Sequence, residues 1–359
     1  MSAIIFFSLL FLGIILFSLV VGIIIFVRMF VHNKNDGSLE PDVVKKSLEQ
    51  MKQSVPGTKL QGVKMQGTPH LSSHINDKKI MIPLLEAKLR WFNRLQRKEI
   101  EQITIRGTFG KKLWGNFIPS ANKKSNFTVL LVHGYTDSAA GMAYLAEEYE
   151  KLGVSVLAID CRAHGYSEGN IITLGYTDAK DVALWLDYLQ SHVGGKIILH
   201  GVSMGGAAVI QSLVQKKTIC NAQHIAFAVA DCSFSSAKKV FKSQTAIFLG
   251  NSVFQKVLSY LIIQSVSLIN FFVCGFTLGQ NSPKKALKQR AKFATSKIPL
   301  LFFHGKDDSF ISCDAAYELL EVAKENATLT IIEEAPHIGS YFYAPKDYMQ
   351  KISGLISSE

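Results

Sequence analysis

Short, nearly uninterrupted apolar runs recur along this 359-residue chain, and they restrict its possible folds more than any other feature. A strand that is apolar on both faces is buried on both faces, which is typical of a parallel sheet covered by helices. The runs occupy residues 127–132, 154–159, 197–200, 225–230 and 299–303. Segments with helical spacing alternate with them, at 139–151, 178–190, 204–216, 313–324 and 345–356. The pattern predicts an α/β fold with a mostly parallel central sheet.

Two shorter segments before the first run have the pattern of an antiparallel hairpin. Residues 100–105 alternate between apolar and polar, a turn-like stretch follows at 107–112, and residues 113–118 form the second arm. A further strand is predicted at 328–332, near the end of the chain. The sheet is therefore expected to begin with a hairpin and to continue with parallel strands.

Residues 3–27 carry no charge and no proline, and the first charged residue is Arg28. Such a run is long enough to cross a bilayer as a helix. A cleaved signal peptide would need a basic segment before the run and a small-residue cleavage site after it, and neither is seen. A buried core helix is the other alternative, but a helix apolar on every face needs cover on every face. We predict an uncleaved transmembrane anchor over residues 1–31.

The charge of the chain is concentrated after this run. Residues 28–125 contain 19 Lys and Arg against 8 Asp and Glu, whereas residues 126–359 contain 20 of each. Basic side chains beside an anchor attract anionic lipid headgroups, by about 1 kcal/mol per residue, although a merely solvated basic face is an equal alternative.

The positive-inside rule places the following domain on the cytoplasmic face. The five cysteines, odd in number and without a C-x-x-C pair, fit a reducing compartment. Nucleic-acid binding is not expected because no nucleic-acid motif accompanies the charge.

Two segments do not follow the strand–helix alternation. Residues 32–80 are polar and interrupted by Gly and Pro, whereas residues 83–97 have helical spacing. We therefore predict that residues 32–99 form a basic juxtamembrane linker with one helix, which docks on the domain or on lipid. Residues 233–292 contain an uncharged stretch at 257–278, which could be a cap over an acyl pocket, a second membrane helix or simple core. We predict an inserted helical cap.

The sequence GVSMGG at 201–206 follows one buried strand and precedes a helix. This is the context in which G-x-S-x-G holds a nucleophilic serine on a tight turn, with an incidental serine in a glycine-rich turn as the alternative. We therefore predict Ser203 as the nucleophile. Acyl transfer also needs oxyanion donors, and the backbone N–H groups of Tyr135 and Met204 are the expected pair.

A serine hydroxyl needs a histidine to take its proton and a carboxylate to orient that histidine. Of the ten histidines, His337 alone follows a late predicted strand in the order Ser, acid, His. Asp308 is the predicted acid, with Asp307 as the alternative, because it fits H-G-x-x-D-x-x-I after the strand at 299–303.

The segments HGYTDS, DCRAHGYSEG, GVSMGG, HGKDDSFIS and APHIGSY, in this order, resemble the α/β-hydrolase superfamily. More narrowly they are similar to bacterial membrane-linked hydrolases of the serine aminopeptidase and monoacylglycerol-lipase-like branch. The resemblance covers residues 100–357, the expected catalytic domain, and implies the α/β-hydrolase fold with helices on both faces of the sheet. The family often has Gly at the position of Ala163 and Pro at that of Ser312, and neither departure touches a predicted catalytic group. The resemblance implies a structural role for the DCRAHG loop.

These observations predict a membrane-anchored serine hydrolase that cleaves esters of lipophilic acyl groups through an acyl-enzyme on Ser203, without a metal or other cofactor. A peptidase or aminopeptidase acting on short peptides is the alternative within the same mechanism. A non-catalytic membrane scaffold with a hydrolase fold is the alternative from another class, and its signature would be a broken triad.

Overall fold

The computed structural model describes residues 2–31, 40–53, 77–122, 125–250 and 252–358. Within them eight strands form one sheet in the order β1-β2-β4-β3-β5-β6-β7-β8. The strands are β1 (Glu101–Arg106), β2 (Lys112–Ile118), β3 (Phe127–Val132), β4 (Ser155–Ile159), β5 (Lys196–Val202), β6 (Ile225–Asp231), β7 (Leu300–Gly305) and β8 (Ala327–Ile332). β1 pairs antiparallel with β2, and β2 with β4, while every later pairing is parallel. The predicted hairpin and mostly parallel sheet are confirmed.

Helices cover both faces of this sheet. They are α1 (Ser2–Phe30), α2 (Pro41–Gln53), α3 (Lys78–Gln96), α4 (Ala143–Lys151), α5 (Asp178–His192), α6 (Met204–Ser212), α7 (Lys216–Cys220), α8 (Ala237–Leu249), α9 (Val253–Cys274), α10 (Pro283–Arg290), α11 (Asp314–Ala323), α12 (Ser340–Tyr343) and α13 (Pro345–Ser358). Strand β3 shows the two layers, because Leu130 and Val132 enter one apolar cluster and Val129 and Leu131 the other. Since side chains alternate along a strand, an apolar run of this kind requires cover on both sides.

The segment predicted to be a linker contains regular structure where it is described. α2 begins at Pro41, a residue that we interpreted as a breaker but that fits the first turn of a helix. α3 begins before Pro83 because the side chain of Asp77 accepts a hydrogen bond from the Lys79 N–H (2.8 Å) and caps the helix. α3 docks on the domain, with Trp91 only 2% exposed. Residues 32–39 and 54–76, also predicted to be linker, lie outside the described residues.

Two of the described helices are long and apolar enough to cross a membrane, namely Leu12–Phe30 within α1 and Val253–Cys274, which is α9. The carboxyl end of α1 is part of the domain core. Phe30 is fully buried, and its carbonyl accepts a hydrogen bond from the Ile172 N–H (2.7 Å). The end of α1 is therefore packed into the domain that contains the sheet.

The segment predicted to be a cap, 233–292, forms α8, α9 and α10. α8 lies over the carboxyl edge of the sheet, where its Phe241 stacks on Phe30 of α1 with 6.0 Å between ring centroids. α9 packs behind α8 and along α1. In this segment α8 covers the sheet edge, and α9 combines a buried face with an exposed one.

Candidate active site

Ser203 lies at the sharp turn between β5 and α6. Its backbone has φ 55° and ψ −115°, a strained conformation for a residue with a side chain. The Ser203 N–H donates to the Asp231 carbonyl (2.8 Å), which ties the turn to the neighbouring strand β6. A Cβ atom on Gly205 would lie 2.0 Å from the Val132 carbonyl oxygen, so this position must be glycine for the helix to approach β3. The turn holds the serine hydroxyl above the carboxyl edge of the sheet.

The structure brings together the three residues predicted to carry the chemistry. Ser203 Oγ lies 2.9 Å from His337 Nε2, and His337 Nδ1 lies 2.7 Å from Asp308 Oδ2. Since the ionised carboxylate only accepts hydrogen bonds, Nδ1 carries the imidazole proton and Nε2 is left to accept the serine proton. The alternative acid, Asp307, is exposed. The arrangement is a hydrogen-bonded relay from carboxylate to imidazole to hydroxyl.

Asp308 is held as an anion by its surroundings. Burial by itself raises the pKa of this carboxyl, but the nearby imidazoles of His337 and His304 outweigh it and hold the pKa below its usual value. Oδ1 also accepts the backbone N–H groups of Phe310 (3.0 Å) and Ile311 (2.8 Å). The carboxylate is therefore ionised at neutral pH and fixed in orientation.

His304 is a site residue that the sequence analysis did not identify. Its Nε2 lies 3.1 Å from Asp308 Oδ2 and 2.7 Å from the Ile311 carbonyl oxygen. Burial lowers the pKa of His304, but the hydrogen bond and charge of Asp308 raise it above its usual value. The pattern H-G-x-x-D-x-x-I includes this histidine but assigns it no role. The spacing of four residues between His304 and Asp308 is the signal that could have pointed to their contact.

The two predicted oxyanion donors lie beside Ser203. Met204 is the first residue of α6, where backbone N–H groups lack an intrahelical partner, and Tyr135 lies in the loop after β3. Within the described residues, neither backbone N–H makes a hydrogen bond to the protein. The side chain of Tyr135 points away from this role, because its hydroxyl donates to the Met29 carbonyl of α1 (2.8 Å).

Two cavities meet at Ser203. The first, which we call the apolar cavity, is lined by Met29 of α1, Phe241 of α8, and Leu174, Phe234 and Ile311. The second, which we call the mixed cavity, lies on the other side of the serine. It is lined by Met81 and Leu84 of α3 together with Tyr144, Asp137 and Phe310. The nucleophile candidate thus stands between an apolar compartment and one that contains a carboxylate.

The DCRAHG loop, residues 160–165, contacts the segment that carries Tyr135. Arg162 Nη2 lies 2.6 Å from Asp181 Oδ2, and both side chains are almost completely buried. His164 Nε2 accepts a hydrogen bond from the Thr136 N–H (3.2 Å), which fixes the loop that carries Tyr135. These contacts agree with the structural role that the resemblance implies for this loop.

Comparison with known proteins identifies related sequences. Residues 123–261 match the family model described as serine aminopeptidase, S33. The chain is 24% identical over 252 residues to YqkD of Bacillus subtilis, an uncharacterized protein, covering 70% of this chain and 77% of the relative. It is 25% identical over 251 residues to YisY of Bacillus subtilis, described as an AB hydrolase superfamily protein, covering 64% and 90%.

Solved structures share the fold. An esterase of Pyrococcus furiosus superposes with a TM-score of 0.55 at 23% identity, over 72% of this chain and 91% of the esterase. An alpha-beta hydrolase of Vibrio vulnificus gives a TM-score of 0.55 at 19% identity, over 84% and 98%. At these identities the likeness concerns the fold alone, and it agrees with the sequence matches. The chain has the α/β-hydrolase fold and is similar in sequence to proteins of the α/β-hydrolase superfamily.

Proposed function

We propose that this chain is a serine hydrolase that cleaves carboxylic esters of apolar acyl groups through an acyl-enzyme on Ser203. The observation that carries the proposal is the relay in which Ser203 Oγ lies 2.9 Å from His337 Nε2 and His337 Nδ1 lies 2.7 Å from Asp308 Oδ2. In a non-catalytic scaffold the strained backbone of Ser203 would lower the stability of the fold without serving a function.

In the proposed reaction Ser203 Oγ attacks the ester carbonyl carbon while His337 Nε2 takes the hydroxyl proton. The negative charge that forms on the carbonyl oxygen is stabilised by the backbone N–H groups of Tyr135 and Met204. The intermediate collapses, the bond to the alcohol breaks, and His337 returns its proton to the departing alkoxide. Water then attacks the acyl-enzyme with His337 as base, and release of the carboxylic acid restores the Ser203 hydroxyl.

The apolar cavity supports an apolar acyl group as the part of the substrate that binds beside Ser203. Its lining includes Met29, Phe234 and Phe241, which offer no charge to bind a peptide terminus. Each methylene group buried there would contribute about 0.8 kcal/mol to binding. The Pyrococcus furiosus protein with the same fold is described as an esterase, which is consistent with this substrate class.

A peptidase acting on short peptides is the second candidate. The family model that matches is described as serine aminopeptidase, and the carboxylate of Asp137 in the mixed cavity could bind a peptide α-ammonium group. The buried Lys88 weakens this role, because its Nζ lies 3.5 Å from Asp137 Oδ1 and already balances the negative charge. The ester is therefore the better candidate.

We further propose that α1 anchors the enzyme in the cell membrane as a single pass, with the catalytic domain on the cytoplasmic face. The apolar span Leu12–Phe30 and the Lys and Arg residues that follow it support this placement. A cleaved signal sequence would also be apolar, but Phe30 and Met29 contribute to the core and to the apolar cavity. Cleavage after α1 would remove both.

Labelling with a fluorophosphonate probe tests the serine chemistry. We expect the intact protein to be labelled and the Ser203→Ala and His337→Ala variants to remain unlabelled. Ser212→Ala is the matched control, because this serine is also buried in α6 but donates to the Val209 carbonyl (2.7 Å). An absence of labelling in folded protein, or equal labelling of Ser203→Ala, would contradict the assignment.

A substrate comparison separates the two candidates. p-Nitrophenyl esters release p-nitrophenol and aminoacyl p-nitroanilides release p-nitroaniline, and each product is followed by its own absorbance. Because esters are intrinsically more reactive, each kcat/KM value is divided by the uncatalysed rate constant of the same substrate before the two are compared. We expect hydrolysis of the esters to exceed that of the anilides, and Asp137→Asn to leave this order unchanged. A preference for aminoacyl anilides that Asp137→Asn abolishes would establish the peptidase instead.

A further inference from the structure

One face of α1 is buried from Ser18 to Phe30. Ser18, Gly22, Phe26 and Phe30 are the buried residues, and they follow each other at intervals of four, which places them on one side of the helix. A Cβ atom on Gly22 would lie 2.7 Å from Ser265 Cβ of α9. The two helices therefore touch almost backbone to backbone near the middle of each, a type of contact that small residues allow between membrane helices.

The face of α9 that points away from the domain is apolar and exposed. The residues on the inner face, among them Ile262, Ile263 and Val266, are buried against the domain. Large apolar side chains are exposed on the outer face, with Phe254 at 65% and Phe272 at 77% exposure. The other exposed residues of this face include Val257, Tyr260, Leu268 and Phe271. An exposed apolar surface of this extent requires a partner or a lipid phase.

The exposed apolar surface continues at the end of α8 and the start of α9. Ile247 and Phe248 at the end of α8 are 66% and 58% exposed, next to Val253 and Phe254 at the start of α9. The exposed lysines Lys238 and Lys242 lie on α8. Apolar side chains accompanied by lysines on one helical hairpin are typical of a surface that enters a membrane interface containing anionic lipids.

The depth of α9 follows from its contact with α1. A helix over Leu12–Phe30 is about 28 Å long at 1.5 Å per residue, close to the roughly 30 Å thickness of the hydrocarbon core. Gly22, near the middle of that span, must then lie within the hydrocarbon, and so must the part of α9 that touches it. An α9 surrounded by water is incompatible with an α1 that crosses the bilayer.

We propose that the outer face of α9 lies in the same bilayer as α1, and that the apolar cavity takes the acyl chain of a membrane lipid ester directly from that bilayer. This inference rests on the proposed serine hydrolase function and on the proposed membrane span of α1. Met29 of α1 and Phe241 of α8 both line the apolar cavity, which also contains Ser203. An acyl chain that passes between α1 and α8 therefore reaches the serine without crossing water.

Spin-label accessibility tests the position of α9 independently of activity. Single cysteines replace Phe254 or Phe272 in the full chain, with Cys220, Cys274 and Cys313 changed to serine, and the protein is reconstituted in phosphatidylcholine–phosphatidylglycerol nanodiscs. Phe109→Cys is the matched control, because Phe109 is 76% exposed in the turn between β1 and β2. We expect oxygen, which partitions into lipid, to relax the spin labels at both α9 positions more than an aqueous nickel chelate does. At the control position the nickel chelate should be the stronger relaxing agent. Nickel accessibility at both α9 positions would overturn the proposal.

Chain-length selectivity tests the route of the substrate. Met29→Trp fills the apolar cavity from α1, and Val27→Trp places the same side chain on a position that is 50% exposed on the same helix. We expect Met29→Trp to lower the ratio of dodecanoyl to acetyl ester hydrolysis by about tenfold or more, since several buried methylene groups are displaced. Val27→Trp should leave the ratio unchanged. An unchanged ratio in folded Met29→Trp would contradict the route.

Val240→Trp narrows the same cavity from α8 and takes the place of Met29→Trp if that variant does not fold. The two proposals fail separately. An intact protein that hydrolyses neither ester refutes the hydrolase assignment. Hydrolysis of both esters with water-exposed α9 labels refutes the membrane route together with the crossing of the bilayer by α1, and leaves the hydrolase assignment intact.

Discussion

Asp308 holds two imidazoles on a single carboxylate oxygen, because Oδ2 lies 2.7 Å from His337 Nδ1 and 3.1 Å from His304 Nε2. Both carboxylate oxygens are occupied by donors, and the group has little freedom to rotate. This fixes the direction in which the His337 ring faces Ser203. Loss of the negative charge would leave the ring in place but allow the wrong tautomer.

We expect Asp308→Asn to lower kcat for ester hydrolysis by about 10³–10⁴-fold, because the amide can donate to Nδ1 and so place the proton on Nε2. Asp307→Asn is the control, since it makes the same change on the exposed neighbouring side chain and should retain most of the activity. Steady-state kinetics on a p-nitrophenyl ester measures both. Equal losses in the two variants would show that the acid has been misassigned.

A third histidine, His200, lies in a buried hydrogen-bonded chain beneath the site. Its Nδ1 lies 3.0 Å from the Tyr149 hydroxyl and its Nε2 lies 2.9 Å from the Tyr348 hydroxyl. Tyr348 in turn donates to Asp231 Oδ2 (3.2 Å). Burial lowers the pKa of His200 to about 3, so the ring is neutral in the folded protein.

This neutral histidine should make the protein sensitive to acid. The unfolded chain takes up a proton on His200 near pH 6.5, whereas the folded chain does so only near pH 3. The free energy of unfolding therefore falls as the pH drops between these values, by up to about 1.4 kcal/mol per pH unit. Burial raises the pKa of Asp231 to about 6, which opposes this trend in part. We expect the difference in thermal midpoint between the intact protein and His200→Gln to narrow from pH 6.5 to pH 4.

The exposed His192 provides the control for this measurement, because His192→Gln makes the same substitution at the protein surface. Its midpoint should follow that of the intact protein at every pH. A constant gap between the intact protein and His200→Gln across this range would show that His200 titrates in the same way in both states.

At the residue scale, the sequence was sufficient for Ser203, Asp308 and His337 to be predicted as neighbours, because each follows a strand at the same edge of a parallel sheet. It was not sufficient for His304, Met29 or Phe241. His304 occupies the end of a strand, where a histidine has several possible partners. Met29 lies far from the catalytic motifs in sequence, and no local pattern indicates that α1 reaches the serine.

At the element scale, α3 shows which contacts hold a helix that precedes the shared fold. Trp91 is 2% exposed within the core, whereas Arg90 forms an ion pair with Glu147 on α4 at 2.7 Å while remaining about half exposed. Burial of a large apolar side chain contributes several kcal/mol, and an exposed ion pair typically contributes less than about 1 kcal/mol. Apolar contact should therefore dominate the docking of α3.

We expect Trp91→Ala to lower the free energy of unfolding by about 3–5 kcal/mol and Arg90→Ala by about 1 kcal/mol or less. Thermal unfolding in the same detergent measures both variants, with Arg90→Ala as the matched change on the adjacent residue. Similar losses in the two variants would mean that α3 is held by charge and not by its buried face.

The elements of the sheet were predictable because buried parallel strands are short, apolar and evenly spaced, and all eight strands lie where the sequence places them. The helices outside this alternation were less predictable. In α2 and α3, Pro41 and Pro83 were interpreted as boundaries, although one starts a helix and the other lies inside one. In α9 both faces are apolar, and periodicity alone cannot tell which face the domain covers.

At the scale of the whole molecule, the proposed orientation can be tested with a native side chain. Cys220 is exposed on the catalytic domain, while Cys161 and Cys232 are buried. With Cys274 and Cys313 changed to serine, a membrane-impermeant maleimide should label Cys220 only after the cells are permeabilised. Cys220→Ser in the same background is the control for residual labelling. Labelling in intact cells would place the domain on the outer face.

Met29 of α1 lies in the wall of the apolar cavity. This position has a practical consequence for work on the protein without detergent. Removal of the apolar amino-terminal helix is the usual route to a soluble version of an anchored protein. Here that deletion would open one side of the cavity to water and leave Phe241 without its stacking partner Phe30. Substrate preferences recorded on the shortened protein would describe an altered binding site, so kinetic comparisons with other hydrolases need the full-length chain.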